Sequence, residues 1–252
     1  VAFSGGTDST FLLKVACGVL GGNAVALTVR SDLFPEREQR EAAILAGELG
    51  VCHAVIDFRG LDIEGFSQNP ENRCYLCKRE IFKSIVEFAK AHGLRQVADG
   101  SNLDDLGDYR PGMQAIEELG IRRPLVEASM GKEDIRVLSR EMGLSTWDKP
   151  PLACLATRFP YGQEITAERL AQVAELEQFL HELGFRQARV RHHGDLARIE
   201  VDKGERARFF DPVLMDMVHE KFREGGFLYT ALDLKGYRTG SMNEPIGNRQ
   251  DE

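Results

Sequence analysis

The chain is predicted to be an α/β protein, with a parallel-sheet domain followed by a smaller α+β domain. Three observations predict this architecture. Strand-like apolar runs alternate with helical segments over residues 1–149, three prolines then interrupt the pattern, and a helix-strand-strand-helix-strand order follows. Because parallel strands need long crossover connections, usually helices, the alternation indicates a parallel sheet covered on both faces.

The elements of the first domain, residues 1–149, follow in order. The chain opens with the strand "VAF", a glycine turn and a helix, and continues with the strand "AVALTVRS". Pro35 and Gly50 bound the next helix, since proline favours the start of a helix and glycine its end. There follow the strand "CHAVIDF", a helix over residues 75–92, the strand "RQVADGS", a helix in "GMQAIEELG", the segment "RRPLVE" and the helix "GKEDIRVLSREMGL". In such sheets, ligands bind beyond the carboxyl ends of the strands.

Residues 150–163 are predicted to be a linker or an active-site loop, because they contain prolines and no regular period. The small α+β domain is assigned to residues 164–240. Its elements are the helix "TAERLAQVAELEQFLHELGF", the strands "QARVRHHG" and "LARIEV", the helix "DPVLMDMVHEKFREGG" and the strand "LYTALDLKGY". Residues 241–252 are predicted to be a frayed polar tail.

The composition excludes several classes of protein. Acidic residues outnumber basic ones, 40 against 32, so the net charge of -8 argues against a stable nucleic-acid partner. No apolar run approaches the roughly 20 residues that span a bilayer, so no membrane partner is expected. Five cysteines, an odd number, favour a reducing cytoplasm over a secreted disulfide framework. Val1 falls inside a predicted strand, so we expect the original N-terminus to lie upstream.

The glycine turn "FSGGTDST" is typical of an anion-binding loop. Ser4, Gly5 and Gly6 allow a tight turn at the start of a helix, where several N–H groups converge on one anion. The hydroxyl groups that follow add donors. Asp8 would repel a bare phosphate, but it is explained if a magnesium ion bridges the two. The alternative is an ordinary glycine turn in which Asp8 or Ser9 caps the helix. The motif is not a Walker A loop, because no Gly-Lys-Ser/Thr follows.

The segment "SGGTDS" resembles the PP-loop of the ATP pyrophosphatase superfamily, whose HUP-like parallel-sheet domain cleaves ATP between the α and β phosphates. The resemblance implies that residues 4–9 hold pyrophosphate and magnesium. It also places Arg30 near the adenine, and Gly100 and Ser101, in "DGSNLDD", beside the adenylate. The ATP-binding residues that it implies are Ser4, Gly5, Gly6, Thr7, Asp8, Ser9, Arg30, Gly100 and Ser101.

Three of the five cysteines are candidates for chemistry. Cys74 and Cys77 precede a helix or occupy its first turn, where thiolates are stabilised, and Cys154 lies in the irregular loop. Cys17 and Cys52 have apolar neighbours and are predicted to be core residues. Three thiolates can hold three irons of a [4Fe–4S] cluster and leave the fourth open to carry a sulfide. The pair could also be half of a zinc site, a redox pair or two structural thiols, and Cys154 could act without a cluster.

The segments "NRCYLCK", "RPLVE", "GKEDIR" and "DKPPLACLATRFPYG" resemble the LarE family of ATP-dependent sulfur transferases. The resemblance implies conversion of pyridinium-3,5-biscarboxylic acid mononucleotide to its bisthiocarboxylic form, a step in making the nickel-pincer cofactor of lactate racemase. Some members have only the cysteine equivalent to Cys154, which gives up its own sulfur. Others have all three and are thought to hold a cluster, and this chain matches that pattern. The family also implies a homo-oligomer and a downstream nickel-inserting protein as a partner.

The anionic substrate predicts cationic contacts. Arg189 and Arg191 share one strand face by the two-residue period, and with Arg158 they are predicted to bind its phosphate. Tyr75 is predicted to stack on the pyridinium ring. The alternatives are a solvated charged strand and an aromatic residue at a helix start. Further expectations are that Glu177 and Glu200 are solvated and that His192 and His193 are loop residues without a catalytic task.

Two other classes of function compete with this hypothesis. PP-loop tRNA thiolases also combine a glycine loop with three cysteines, but the chain lacks a basic patch interleaved with aromatic residues. A nucleotide-binding regulatory module would bind ATP without releasing pyrophosphate. Asp8 and the three cysteines argue against the second alternative.

Overall fold

The computed structural model describes residues 1–107, 111–238 and 240–242. The chain divides into two compact units. The first consists of Val1–Phe66 and Pro70–Leu152, and the second of Ser67–Asn69 and the chain from Ala153 onward. The predicted α/β class with a smaller α+β part is confirmed. Most of the predicted polar tail, from residue 243 onward, lies outside the described residues.

The first unit alternates helices and strands, as predicted. Its strands are β1 (Val25–Ser31) and β2 (Cys52–Phe58). Its helices are α1 (Thr7–Leu20), α2 (Glu36–Glu48), α3 (Arg73–Ala91), α4 (Gly112–Glu118), α5 (Pro124–Glu127) and α6 (Lys132–Glu141). Short 3-10 turns cover Gly21–Asn23, Gly60–Asp62 and Leu103–Gly107. The segment "RRPLVE" therefore contains the one-turn helix α5, which begins at a proline.

The strands of the first unit run parallel. β1 pairs with β2 from Val25 opposite Cys52 to Ser31 opposite Phe58. The predicted strands "VAF" and "RQVADGS" are reduced to single parallel bridges, Ala2 with Leu27 and Ala98 with Arg122. Since the Ala2 N–H also donates to the Ala98 carbonyl at 2.8 Å, the parallel order continues beyond the two regular strands.

Two apolar clusters position the start of α1. Phe3 and Leu13 pack with Ala26 and two alanines of α2, and on the other side Phe11 and Leu12 pack with residues of α5 and α6. Three consecutive apolar residues, Phe11, Leu12 and Leu13, are therefore buried. Burial on both sides of α1 holds the loop before it, residues 4–9, in a defined position.

The described part of the second unit contains a three-stranded sheet and two helices. β3 (Ala188–His193) is antiparallel to β4 (Leu196–Val201), which is parallel to β5 (Tyr229–Leu232). The helices are α7 (Ala167–Glu182) and α8 (Pro212–Glu224), and 3-10 turns cover Leu155–Arg158 and Arg206–Phe210. The side chains of Thr166 and Asp211 accept hydrogen bonds from the first turns of α7 and α8. Among the described residues, none of the helices combines the length and the apolar character needed to cross a membrane.

Candidate functional site

The loop at residues 4–9, called the glycine loop below, has a backbone that two glycines make possible. Gly5 has a φ of +69°, and a Cβ atom there would lie 3.0 Å from the Cα of Ala42. A Cβ atom on Gly100 would lie 3.0 Å from the backbone nitrogen of Ser9. A larger residue at either position would clash with backbone atoms. The two glycines therefore allow the glycine loop to lie close to α2 and to the segment around Gly100.

The polar groups of the glycine loop surround the start of α1. Gly6 is the N-cap residue and no side chain caps the helix, so the alternative of a cap by Asp8 or Ser9 is wrong. The Oγ atoms of Ser4 and Ser9 lie 3.1 Å apart, and the Gly6 N–H donates to the Ser4 Oγ at 3.3 Å. The Thr7 hydroxyl donates to the Thr146 carbonyl at 2.7 Å. The uncapped helix start therefore keeps the dipole and the free N–H groups that attract an anion.

Asp8 lies within the first turn of α1 and has an unusual environment. Its Oδ1 atom is buried without a hydrogen-bond partner among the described residues. Burial raises the pKa of its carboxyl above the ordinary value and Asp105 acts in the same direction, whereas Lys132 and Arg136 oppose the shift. A buried carboxylate oxygen without a donor is costly, and a cation would relieve that cost. The donor chemistry of Asp8 therefore fits a magnesium ion.

The remaining predicted ATP-binding residues lie at the carboxyl edge of the same sheet. The Ser101 N–H donates to the Asp99 Oδ1 at 2.9 Å, and the adjoining Gly100 packs against the backbone of Ser9. Arg30 is exposed near the end of β1, and its Nη2 donates to the Oδ2 of Asp57 on β2 at 2.9 Å. The structure thus brings Gly100 to the glycine loop and places Arg30 in an ion pair on the strand edge.

Cys74 lies in the first turn of α3 and Cys77 in the second, because the helix begins at Arg73, two residues earlier than predicted. Cys77 is buried, Cys74 is half-buried, and a spacing of three residues places both on one side of the helix. The Tyr75 hydroxyl donates to the Glu118 Oε2 at 2.8 Å, and the Arg79 guanidinium lies 5.4 Å from the centre of its ring. Tyr75 therefore has partners of its own on α3 and α4.

Cys154 belongs to the second unit and precedes the 3-10 turn Leu155–Arg158. Its carbonyl accepts hydrogen bonds from the Thr157 hydroxyl at 2.7 Å and from the Arg158 Nη1 at 3.0 Å. The three candidate cysteines are thus divided between the two units. No group of three His, Cys, Asp or Glu side chains suited to a metal ion is found within the described ranges. That the three cysteines bind one cluster stays a prediction.

Arg158 is fully buried and forms a paired contact with Glu177. Its Nε and Nη2 atoms lie 2.7 Å and 2.8 Å from the two carboxylate oxygens. The Val190 N–H donates to the same carboxylate at 2.9 Å. Burial alone would raise the pKa of Glu177, but the charge and hydrogen bonds of Arg158, together with Arg189, lower it to about 2. The contacts of Arg158 hold Cys154 and α7 together, and its substrate-binding role stays a prediction.

Arg191 forms a second buried pair, with Glu200. The Arg191 Nη2 lies 2.6 Å from the Glu200 Oε2, and its Nη1 donates to the Thr157 carbonyl at 3.1 Å. Arg189 is also buried, and its guanidinium lies 5.5 Å from the centre of the Tyr237 ring. The substrate-binding roles predicted for Arg189 and Arg191 remain predictions.

Three expectations about this region are wrong. Glu177 and Glu200 are 4% and 0% exposed, not solvated, because each neutralises a buried arginine. The strand face of Arg189 and Arg191 is buried, so the alternative of a solvated charged strand is also wrong. Neither histidine is a loop residue, since both belong to β3: His192 is packed between the rings of Phe159 and Phe227, and His193 is exposed at the end of the strand. A two-residue period shows which side chains share a face, but not whether that face is covered.

Several residues around the glycine loop were not predicted from the sequence. Lys132 and Arg136 act electrostatically on Asp8, and Asn102 is fully buried beside it in the loop after Gly100. The Lys149 Nζ donates to the Gly5 carbonyl at 2.9 Å. The only signal for the first pair was the segment "GKEDIR", and nothing in the sequence indicated that Lys149 meets a residue 144 positions away.

Comparison with known proteins identifies the family. No family model matches the chain. The chain is 39% identical to the pyridinium-3,5-bisthiocarboxylic acid mononucleotide synthase of Lactiplantibacillus plantarum over 253 residues, which are 99% of this chain and 90% of the relative. The chain belongs to the LarE family. Two further relatives are uncharacterised proteins. One, from Synechocystis, is 45% identical over 98% of this chain and 92% of the relative, and the other, from Methanocaldococcus jannaschii, is 29% identical over 95% and 90%.

The near-complete coverage extends the resemblance beyond the motifs that first indicated it. Those motifs ended at about Gly162, whereas the alignment with the Lactiplantibacillus plantarum synthase includes the second unit. The recognition of a LarE-type sulfur transferase is confirmed. Neither a tRNA thiolase nor a regulatory module is favoured by these comparisons.

Proposed function

We propose that this LarE-family chain is an ATP-dependent sulfur transferase. It converts pyridinium-3,5-biscarboxylic acid mononucleotide to the bisthiocarboxylic form and releases AMP and pyrophosphate. The product named for the Lactiplantibacillus plantarum relative supports the substrate. The observation that carries the ATP dependence is Asp8, a half-buried carboxylate with one buried, unpaired oxygen at an uncapped helix start.

A carboxylate needs activation before it can accept sulfur. Its negative charge repels a nucleophile, and oxide is a poor leaving group. Attack of a substrate carboxylate oxygen on the α-phosphorus of ATP forms an acyl adenylate and expels pyrophosphate, and AMP is then a good leaving group. The role of the protein is to hold the phosphates and to stabilise the charge that develops on the departing pyrophosphate.

The glycine loop supplies both functions. The Gly6 N–H and the first N–H groups of α1 would bind the pyrophosphate part of ATP, together with the hydroxyls of Ser4 and Ser9. Asp8 would hold a magnesium ion, which offsets negative charge on the phosphates when it is bound. Gly100 packs against Ser9 at the start of α1, and the adenylate would form beside it and the adjoining Ser101.

The sulfur donor is assigned to the three cysteines. Cys74, Cys77 and Cys154 are the residues that would hold a [4Fe–4S] cluster, and such a cluster would supply sulfur at the oxidation level of sulfide when bound. We place this chemistry in a reducing compartment such as the cytoplasm, where cysteine thiols persist. The hydrogen bonds that Thr157 and Arg158 donate to the Cys154 carbonyl hold this residue in a fixed backbone position.

The alternative donor is Cys154 itself. Its thiolate would attack the acyl carbon, displace AMP and form a thioester. Loss of the Cα proton would then break the Cβ–S bond, release the thiocarboxylate and leave dehydroalanine at this position. Each chain can give one sulfur by this route, so two chains would be consumed for each bisthiocarboxylic product. Only this route takes sulfur from the polypeptide itself.

The proposal is tested with protein purified without air, ATP, magnesium and the biscarboxylate mononucleotide. We expect substrate-dependent release of pyrophosphate, formation of thiocarboxylate, iron bound to the protein and an unchanged mass of Cys154 after turnover. Cys17→Ala, at a cysteine outside the site, is the matched control for Cys74→Ala, which should lose both iron and sulfur transfer. Absence of pyrophosphate release by the parent protein would contradict the proposed function. Loss of one sulfur from Cys154 would replace the cluster by the sacrificial route.

The remaining expectations concern partners. The substrate is a small nucleotide, in keeping with the relative's product. Assembly into a homo-oligomer and transfer of the product to a nickel-inserting protein are carried over from the LarE family as proposals. Size-exclusion chromatography with light scattering tests the first.

A further inference from the structure

A segment far along the chain contacts the glycine loop within the first unit. The Thr146 carbonyl accepts the hydroxyl of Thr7, and the Leu152 side chain lies 3.5 Å from the position of a Cβ atom on Gly6. Between them, the Lys149 Nζ donates to the Gly5 carbonyl at 2.9 Å. Three consecutive residues of the loop are therefore each in contact with residues 146–152.

Lys149 is the charged member of this segment. Its side chain is only 16% exposed, and its Nζ lies 2.8 Å from the Glu41 Oε2 on α2. The next residue of α2, Ala42, packs directly against Gly5. One ammonium group therefore joins the glycine loop to the helix beneath it, and Glu41 provides its counter-charge. A charge-assisted hydrogen bond in such a position is stronger than one between neutral groups.

The bond to the Gly5 carbonyl has a consequence for the neighbouring N–H. Because a trans peptide is planar, the carbonyl of Gly5 and the N–H of Gly6 point in opposite directions. A donor that holds the carbonyl on one side keeps the N–H directed to the other side, where the Ser4 Oγ accepts it at 3.3 Å. The adjoining φ of +69° at Gly5 is accessible mainly to glycine, so this peptide would otherwise rotate easily.

We propose that Lys149 is a positioning residue for the anion-binding loop: it fixes the Gly5–Gly6 peptide so that the Gly6 N–H stays on the side of the Ser4 Oγ, where a pyrophosphate oxygen would share or replace that acceptor. This inference rests on the proposed use of the loop for ATP. Lys149 acts on the ligand through the peptide and does not contact the phosphates. A cation bonded to the carbonyl also polarises the peptide and makes its N–H a better donor.

The test uses calorimetry to measure how two ligands bind to the full chain. One ligand is inorganic pyrophosphate with magnesium, and the other is adenosine. Lys149→Met removes the donor and keeps the length of the side chain. We expect it to weaken pyrophosphate binding about tenfold, the scale of one lost charge-assisted hydrogen bond, and to leave adenosine binding unchanged. Lys149→Arg should restore most of the affinity. Lys14→Gln, at an exposed lysine of α1, is the control and should bind both ligands as the parent does.

A second measurement separates positioning from direct contact with phosphate. With glycine-selective nitrogen labelling, the amide resonance of Gly6 in the ligand-free protein should move in Lys149→Met and return toward its parent position in Lys149→Arg. An unmoved Gly6 resonance with weaker pyrophosphate binding would make Lys149 a direct ligand and overturn the proposal. Unchanged pyrophosphate binding, or equal losses for pyrophosphate and adenosine, would also overturn it. Failure of the parent protein itself to bind pyrophosphate would instead count against the proposed function.

Discussion

The glycine loop of the first unit and the arginine–glutamate pairs of the second place carboxylates in buried positions with opposite results. Asp8 has a buried oxygen without a partner in the described structure, and its pKa is raised. Glu177 is buried more deeply, but Arg158 and the Val190 N–H satisfy it, and its pKa is lowered to about 2. The same chemical group is destabilising in one unit and stabilising in the other.

The difference shows which unit has a carboxylate oxygen that a ligand could satisfy. An unsatisfied buried carboxylate reduces the stability of the fold, and it is retained where a cation or a reaction needs it. A satisfied pair keeps backbone segments in place, as Arg158 does for the carbonyl of Cys154. Asp8 is therefore expected to matter for activity, and Glu177 for the integrity of the second unit.

The largest expected effect is on activity, from Asp8→Asn. Removing the charge that would hold magnesium should reduce pyrophosphate release by at least about 1,000-fold, a loss of several kcal/mol in transition-state stabilisation. The folded state favours the protonated form of Asp8, so ionisation of this group lowers stability as the pH rises through its raised pKa. The neutral variant should therefore melt at the same temperature as the parent or above it at neutral pH.

The measurements for Asp8 are a pyrophosphate-release assay and a thermal melt. Asp62→Asn, which changes an exposed carboxylate of the same unit, is the control and should leave both unchanged. Full activity in Asp8→Asn would contradict the role in activity that distinguishes Asp8 from the carboxylates of the second unit.

The second effect is on stability, from Arg158→Met. Leaving Glu177 buried without its partner should cost about 3–5 kcal/mol in the free energy of unfolding, measured by denaturant titration. The double variant Arg158→Met/Glu177→Met should recover much of this loss, since apolar replacement of a whole buried pair is often close to neutral. The exposed pair of Arg30 and Asp57 is the matched control, and Arg30→Met should hardly change the unfolding transition.

The double variant also tests the substrate-binding role predicted for Arg158. If the arginine only supports the fold, the stabilised double variant should regain pyrophosphate release in parallel with stability. Recovery of stability without recovery of activity would show that Arg158 also binds substrate.

The smallest of the three effects is the loss of stability of the second unit at acidic pH. The folded pKa of Glu177 lies below the ordinary value, so its stabilisation is present above pH 4.5 and is lost as the pH falls from 4.5 to about 2. This interval corresponds to about 3 kcal/mol. The measurement is the free energy of unfolding against pH for the parent and for Glu177→Gln. The difference between the two should shrink over this interval, and a constant difference would mean that Glu177 does not titrate as the pairing requires.

Much of the first unit could be predicted because its signals are local. The turn "SGGTDS" needs glycine backbone angles and stands before a helix, and both features can be read from adjacent residues. The strand predicted over "RQVADGS" was wrong, because this segment forms only a single bridge, between Ala98 and Arg122. A single bridge is too short to produce the side-chain alternation by which a strand is recognised in a sequence. The bounds of α3 differed by two residues, which is ordinary for a helix start.

The sequence alone determined the fold class, the glycine loop, the cysteine pattern and the LarE family, because each depends on residue types at short, fixed spacings. Only the tertiary structure decided which charges are buried and with what partners. Arg158 pairs with Glu177, which is 19 positions away in the sequence, and Arg191 pairs with Glu200 on the neighbouring strand. Lys149 donates a hydrogen bond to Gly5, which is 144 positions away. Side-chain periodicity describes one element at a time, whereas the pKa of a carboxylate depends on everything that packs against it. For that reason the roles of Asp8 and Glu177 could be distinguished only after the chain was folded.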